Sequence, residues 1–238
     1  MIVDIALSPA LYPYYRQDHD TVIVVDIFRA TTTMCQMLHN GAAAIIPVAE
    51  INEAKRYKAE GYLVGAERQT RKCDFADYGN SPFDYTPERV RGREVVFTTT
   101  NGTRAIREGA TARELLIGSF SNIGALASHC MERAERIVIL CAGWNNRINL
   151  EDTLFGGAFL ERLAAGGKVT IGSDAVRVAQ LLWQQVKEDP LTFLKESDHY
   201  ARLIANNAEE DAAYCLSCDT LSVVPLYHPA EKKIRACP

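Results

Sequence analysis

Segment 22–33 of the sequence reads VIVVDIFRATTT, and segment 95–103 reads VVFTTTNGT. Each is an apolar run that ends in three threonines and leads into a helix-like stretch. The first places Asp26 and Arg29 beside Thr31, Thr32 and Thr33. The second gathers Thr99, Thr100, Asn101, Gly102 and Thr103. Other apolar runs end in Gly65-Ala66-Glu67-Arg68, in Ser119-Phe120-Ser121-Asn122, and in Cys141-Ala142-Gly143 shortly before Glu151 and Asp152. A loop carries Asn80 and Ser81.

The side chains fall into two chemical kinds. Threonine and serine hydroxyls, Asn101 and the backbone N–H groups beside Gly102 are neutral donors at a helix start, where unpaired N–H groups and the helix dipole favour an anion. Arg29, Arg68 and Arg104 could add charge-assisted bonds to phosphate or sulfonate. Asp26, Glu67, Glu151 and Asp152 are hard oxygen ligands suited to Mg²⁺. Carboxylates repel a phosphate unless a cation lies between them. Together the two kinds point to metal-assisted phosphoryl transfer.

Plainer roles exist for single members of the set. Asp152 and Asn122 fit helix N-caps, and the Glu151-Asp152 pair also complements a helix dipole. His199 reads as a surface helix residue. Cys215 and Cys218, the one CxxC pair, lack a second pair for zinc and read as one face of a helix. It is the convergence of several polar strand ends that exceeds these alternatives.

Strand-like runs at Thr21–Ile27, Ala44–Val48, Tyr62–Gly65, Val95–Thr98, Leu115–Gly118 and Arg136–Cys141 must position these groups. Helical stretches alternate with them: Ala30–Asn40, Asn52–Glu60 and Thr103–Glu108, stopped by Gly41, Gly61 and Gly109, then Asn122–Arg133 and Asp152–Ala165. The alternation predicts an α/β fold of one domain with helices on the sheet faces and ligands at the strands' carboxyl ends. From Ser173 to Asp219 the pattern is mostly helical, before a strand-like SVVPLYH.

The bulk properties agree with a small-molecule enzyme. A net charge of −4 over 238 residues argues against nucleic-acid binding. No apolar run approaches the roughly 20 residues of a membrane helix, and no secretory leader is visible. Seven scattered cysteines suit a thiol-reducing, cytoplasmic setting. An α/β enzyme of this size is often a homodimer. Neither GxxxxGK[ST] nor a post-strand GxGxxG is present to suggest a nucleotide.

The strings VVDIFRATTT, GAER, DYGNSP, FTTTNGTRAI, SFSN, CAGW, NLEDTLFGG, SDA and SDHYARL run in order from Asp26 to Leu203. In that order they resemble the 2-phosphosulfolactate phosphatase family. The resemblance implies a three-layer α/β/α sandwich and a Mg²⁺-dependent hydrolase. Its substrate would be 2-phospho-3-sulfolactate, its products sulfolactate and phosphate, and its pathway coenzyme M biosynthesis. The chain departs from the family's pattern at Gln69-Thr70 and at Trp144–Arg147, where glycines are expected, so Gly143–Asn149 is expected to form an altered pocket wall.

The mechanism expected is then specific. Phosphate sits on the Thr99–Thr103 turn and on Ala30–Thr33, with Asp26, Arg29 and Asn101 as the catalytic set. Asp26, Glu67, Glu151 and Asp152 hold Mg²⁺. Arg68 and Arg104 meet a second anionic group, which Asn80 and Ser81 orient, and Ser119, Ser121 and Asn122 add polar contacts. Attack by Asp26 itself is the competing route, disfavoured because Phe28 stands where a D-x-D motif needs a second carboxylate. The alternative from another class is a non-catalytic binding protein for a small phosphate or sulfonate, for which the acidic cluster has no use.

Overall fold

The computed structural model describes residues 1–237. In chain order the elements are β1 (Ile2–Ala6), β2 (Thr21–Val25), α1 (Ala30–His39), β3 (Ala44–Pro47), α2 (Ile51–Ala59), β4 (Leu63–Arg68), β5 (Arg71–Lys72) and α3 (Pro87–Val90). There follow β6 (Glu94–Thr98), α4 (Gly102–Gly109), β7 (Glu114–Gly118), α5 (Ile123–Arg133), β8 (Arg136–Cys141), α6 (Leu150–Gly166), β9 (Thr170–Ile171) and α7 (Asp174–Val186). The chain ends with α8 (Pro190–Leu194), α9 (Asp198–Ile204), α10 (Glu209–Cys215), β10 (Pro225–His228) and β11 (Lys233–Ala236).

The strands form one sheet in the order β5-β4-β6-β3-β11-β10-β7-β2-β8-β1-β9. Pairing is parallel among β4, β6 and β3, and again among β7, β2, β8, β1 and β9. The C-terminal hairpin β10–β11 joins these two groups by antiparallel pairing to β7 and β3. Two helices cross between the groups: α1 runs from β2 to β3, and α4 from β6 to β7. These are the helices that follow the two threonine triplets.

Side-chain alternation on the strands sets the layers. On β2, Ile23 and Val25 join a core with α5, α6 and α7, whereas Val22 and Val24 face α1 and α4. Val95 and Phe97 of β6 and Ile45 of β3 reach that same α1 core, so both strand groups enclose α1. The opposite faces of β3, β4 and β6 pack under α2. Helices therefore cover both faces of the sheet, as an α/β sandwich requires. Each fully buried residue such as Met34 or Met37 contributes roughly 1.5–3 kcal/mol.

The helix stops separate into two kinds. Gly41 and Gly61 both take φ of +88°, a left-handed conformation that ends α1 and α2 at little cost to glycine. Gly109 stays inside α4 instead, where a Cβ would lie 2.9 Å from Leu115 Cδ1. It is there for close packing, not as a stop. Likewise α10 ends at Cys215, so the buried Cys215 and exposed Cys218 do not share a helix face. Among the described residues no helix is long and apolar enough to cross a membrane.

Candidate active site

The turn after β2 is built by its own threonines. Thr31 Oγ1 accepts the Asp26 N–H at 3.0 Å, and Thr31 N–H returns a bond to the Asp26 carbonyl at 3.1 Å. Thr32 Oγ1 donates to the Ile27 carbonyl at 3.2 Å and Thr33 Oγ1 to the Asn80 carbonyl at 2.8 Å. All three threonines are fully buried. The expected hydroxyl cradle is thus corrected: these hydroxyls brace the backbone that aims Asp26, Phe28 and Arg29, because a buried hydroxyl must find a partner.

The second triplet is braced in the same way. Thr103 Oγ1 donates to the Thr99 carbonyl at 3.1 Å, while Thr99 Oγ1 accepts Thr103 N–H at 3.4 Å. Thr100 binds Glu67 through its N–H at 3.2 Å and through its hydroxyl at 3.1 Å. Gly102 packs against the Asp26 carboxylate, which joins the two turns, and its N–H favours the charged form. Only glycine fits there, since a Cβ would lie 2.7 Å from Ala30 Cβ and 2.9 Å from Asp26 Oδ2. Gly102→Ala is expected to destabilise the fold by about 1–3 kcal/mol and to displace Asp26. Thermal melts and phosphate-release rates on the same protein check both effects.

Asp26, Phe28, Arg29, Glu67, Thr70, Asn80, Asn101, Trp144 and His199 surround one cleft. Arg29 is 5% exposed and forms a short ion pair with Asp211 of α10, while its Nη2 donates to the Thr70 carbonyl at 3.2 Å. Ser81 Oγ donates to the other Asp211 oxygen at 2.7 Å, so Ser81 orients Asp211. Three buried polar atoms on the cleft wall have no partner: Arg29 Nε, Thr70 Oγ1 and Asn80 Oδ1. Buried polar groups are seldom left unpaired, so these atoms mark where a polar ligand belongs.

The acidic residues divide by what their oxygens already hold. Asp152 is no cap: the N-cap of α6 is Asn149, and Asp152 accepts Ile27 N–H at 2.9 Å and Gly143 N–H at 3.0 Å. Glu67 accepts the Thr70 and Thr100 N–H groups, one on each oxygen. Glu151 Oε1 bonds His199 Nδ1 at 2.5 Å, and its buried Oε2 has no partner. Burial, with Glu67 and Glu151 nearby, pushes Asp26 up to about 6 against the pull of His199 and the Gly102 N–H. Asp152 is pushed well above the usual carboxylate range by burial, then by Glu151 and Asp26, while its two N–H donors oppose the shift.

Several expected contacts lie elsewhere. Ser119, Ser121 and Asn122 close on one another: Asn122 Oδ1 accepts Ser119 N–H at 2.9 Å, and Asn122 Nδ2 donates to the Val223 carbonyl at 3.0 Å. They cap the turn after β7 and hold the approach to β10. Arg68 donates to the carbonyls of Glu67 and Ala49 and to Thr98 Oγ1, and with Arg104 it lines a separate basin beyond Glu67. Neither arginine lines the Asp26 cleft.

The sequence reading missed His199, Thr70 and Asp211 as cleft residues, whereas Trp144 lies in the Gly143–Asn149 segment expected to form a pocket wall. His199 is only 5% exposed, packed edge-on against Phe28 at 5.8 Å and held by Glu151. A signal for it existed: Ser197 caps α9 by accepting Tyr200 N–H at 3.1 Å, and His199 and Leu203 lie one turn apart on its buried side. Asp211, in the run Glu209-Glu210-Asp211, looks like ordinary helix-start acid. Nothing local marks it as the partner of Arg29.

A family model described as 2-phosphosulpholactate phosphatase matches residues 7–230. The chain belongs to this family. Its members are phosphoric monoester hydrolases. A Thermotoga petrophila protein named "Probable 2-phosphosulfolactate phosphatase" is 36% identical over 224 residues, 94% of each chain. A protein of the same name from Synechococcus sp. is 37% identical over 216 residues, covering 87% of this chain and 88% of its own. Another from Clostridium acetobutylicum is 33% identical over 234 residues, 97% of this chain and 99% of that one.

Proposed function

We propose that this chain is a Mg²⁺-dependent phosphatase that hydrolyses 2-phospho-3-sulfolactate to sulfolactate and inorganic phosphate. The observation that carries the proposal is the Asp26 cleft, with unpartnered Arg29 Nε, Thr70 Oγ1 and Asn80 Oδ1 on its wall. The names of the relatives support the choice of substrate. Seven cysteines, all unbonded, suit a reducing cytoplasmic compartment.

In this account Arg29 binds phosphoryl oxygens through Nε, held in aim by Asp211 and the Thr70 carbonyl. Thr70, Asn80 and Asn101 supply further hydrogen bonds around the phosphate. Asp26 and Glu151 would hold Mg²⁺. Among the described residues no three His, Cys, Asp or Glu side chains already stand together as a metal cage. Mg²⁺ does not need one, because it is commonly bound through one or two carboxylates with waters and substrate phosphate completing its shell. The orphaned Glu151 Oε2 and the crowding that raises Asp26 fit such a ligand. Bound Mg²⁺ would neutralise phosphoryl charge and acidify an attacking water.

Glu151 fixes the His199 ring through Nδ1, which leaves Nε2 free to give a proton to the departing sulfolactate oxygen. Phe28 is buried against that ring, so position 28 supplies no second carboxylate for an aspartyl-phosphate route. Phosphate release from phosphosulfolactate and from a panel of small phosphomonoesters tests the substrate. Phosphosulfolactate is expected to give the highest kcat/KM. Preference for another ester would move the pathway away from coenzyme M biosynthesis, and tight phosphate binding with no release from any ester would favour a binding protein.

A further inference from the structure

Trp144 and His199 separate the Asp26 cleft from a second cavity of about 310 Å³. The wall between them is held by a two-residue hairpin turn. Trp144 N–H donates to the Arg147 carbonyl at 3.0 Å and Arg147 N–H to the Trp144 carbonyl at 2.9 Å. Asn145 and Asn146 occupy the turn with φ of 49° and 62°, a conformation asparagine tolerates. The bulky segment that departs from the glycine-bearing pattern is therefore a fixed support for Trp144.

Arg202 stands in this second cavity, three residues after His199 on α9 and so on a neighbouring line of that helix. Its guanidinium carbon lies 4.0 Å from the centre of the Trp144 ring. Arg202 Nε and Nη2 are both buried, and neither has a hydrogen-bond partner. A half-buried guanidinium with two unpaired buried donors is unfavourable on its own and attracts an oxyanion. Three carboxylates also line the cavity: Glu196 and Asp198 are exposed, where water and salt screen them, and the buried Glu151 is turned to His199 and, in the account above, to Mg²⁺.

We propose that this cavity receives the second anionic group of the phosphoester substrate, a sulfonate or a carboxylate, and that Arg202 binds it. The inference rests on the phosphatase reading above. It moves the second-anion subsite from Arg68 and Arg104 to α9. Arg68 already donates through both terminal nitrogens to Glu67, Ala49 and Thr98, and in the same basin Arg107 pairs with Glu50 at 3.6 Å. Arg202 is thereby a specificity residue, set one helical turn from the His199 that serves the reaction.

Arg202→Met keeps an apolar stem against Trp144 and removes both donors. Its KM for phosphosulfolactate is expected to rise about 50-fold, as for loss of a charged hydrogen-bonded contact, with kcat within about threefold. Isopropyl phosphate, which has no second anion, should be hydrolysed alike by both proteins. If 2-phospholactate, which keeps only the carboxylate, is unaffected, the group bound is the sulfonate; if it suffers equally, the carboxylate. Unchanged KM for phosphosulfolactate overturns the proposal and leaves the phosphatase reading standing.

Calorimetric titration with 3-sulfolactate separates the two kinds of failure, since it needs no turnover. Binding to wild type and not to Arg202→Met upholds the subsite even if every ester resists hydrolysis, which would sink only the phosphatase reading. Equal binding to both proteins, or none to either, overturns the subsite. Should Arg202→Met fail to fold by circular dichroism, Arg202→Lys decides: a smaller rise in KM in the same direction is expected, and a wild-type KM contradicts the proposal.

Discussion

Arg29→Ala is expected to lower kcat/KM for phosphate release by about 10³-fold or more, the scale seen when a preorganised donor to a developing anion is removed. The residue does two separable jobs. Its Nε is buried without a partner, while its other nitrogens hold Asp211 and the Thr70 carbonyl. Removing the guanidinium strands Asp211, 4% exposed, as a buried charge, which costs about 3–5 kcal/mol. Stability loss alone could thus imitate a catalytic effect. The double variant Arg29→Ala/Asp211→Asn removes the stranded charge and should regain most of the stability in urea denaturation. Its turnover should stay at the level of Arg29→Ala. Recovery of turnover along with stability would show that Arg29 only supports the fold.

Asp26→Asn should abolish Mg²⁺-dependent release and, without metal, make the protein more stable. The sign follows from the Asp26 carboxyl, whose folded pKa of about 6 lies above the ordinary 3.8. Between those values the folded chain holds a proton that the unfolded chain has lost. Stability therefore falls as pH rises from about 4 to about 6 and stays lower above that, by about 3 kcal/mol. Asparagine cannot ionise and escapes this penalty. In chelator, Asp26→Asn should exceed wild type by up to about 3 kcal/mol at pH 8 and lose the advantage at pH 4. Added Mg²⁺ should stabilise wild type and leave the variant unmoved. Parallel stability profiles across pH would contradict the environment assigned to Asp26.

Much of this architecture was legible because it is local. The runs at β2, β6, β7 and β8 carry buried apolar residues bounded by polar turns, and the helix after β2 is marked by the glycine that stops it, Gly41. Asp26 and Arg29 stood out because an acid and an arginine flank a strand end. What escaped depended on contacts distant in sequence. β10 meets β7 at Leu226 and Leu116, and β11 meets β3 at Ile234 and Ile45, pairings that no local pattern encodes. Asp211 reaches Arg29 from α10, and His199 reaches Glu151 from α9, so the helical C-terminal third completes the cleft.

The threonine triplets were conspicuous in the sequence for a reason other than the one they suggested. Hydroxyls at a strand-to-helix turn can bind a ligand or their own backbone, and residue type alone does not say which. Here Thr31, Thr32, Thr33, Thr99 and Thr103 all bind backbone. They make two rigid turns whose meeting point, Gly102 against Asp26, fixes the carboxylate.

The most direct test of the central claim is phosphate release from 2-phosphosulfolactate by purified wild-type protein, first with Mg²⁺ and then with EDTA. Release that depends on Mg²⁺, stops with EDTA and returns when Mg²⁺ is restored is the result expected of an Asp26–Glu151 metal site beside Arg29. Release indifferent to EDTA, or none under either condition, would contradict it.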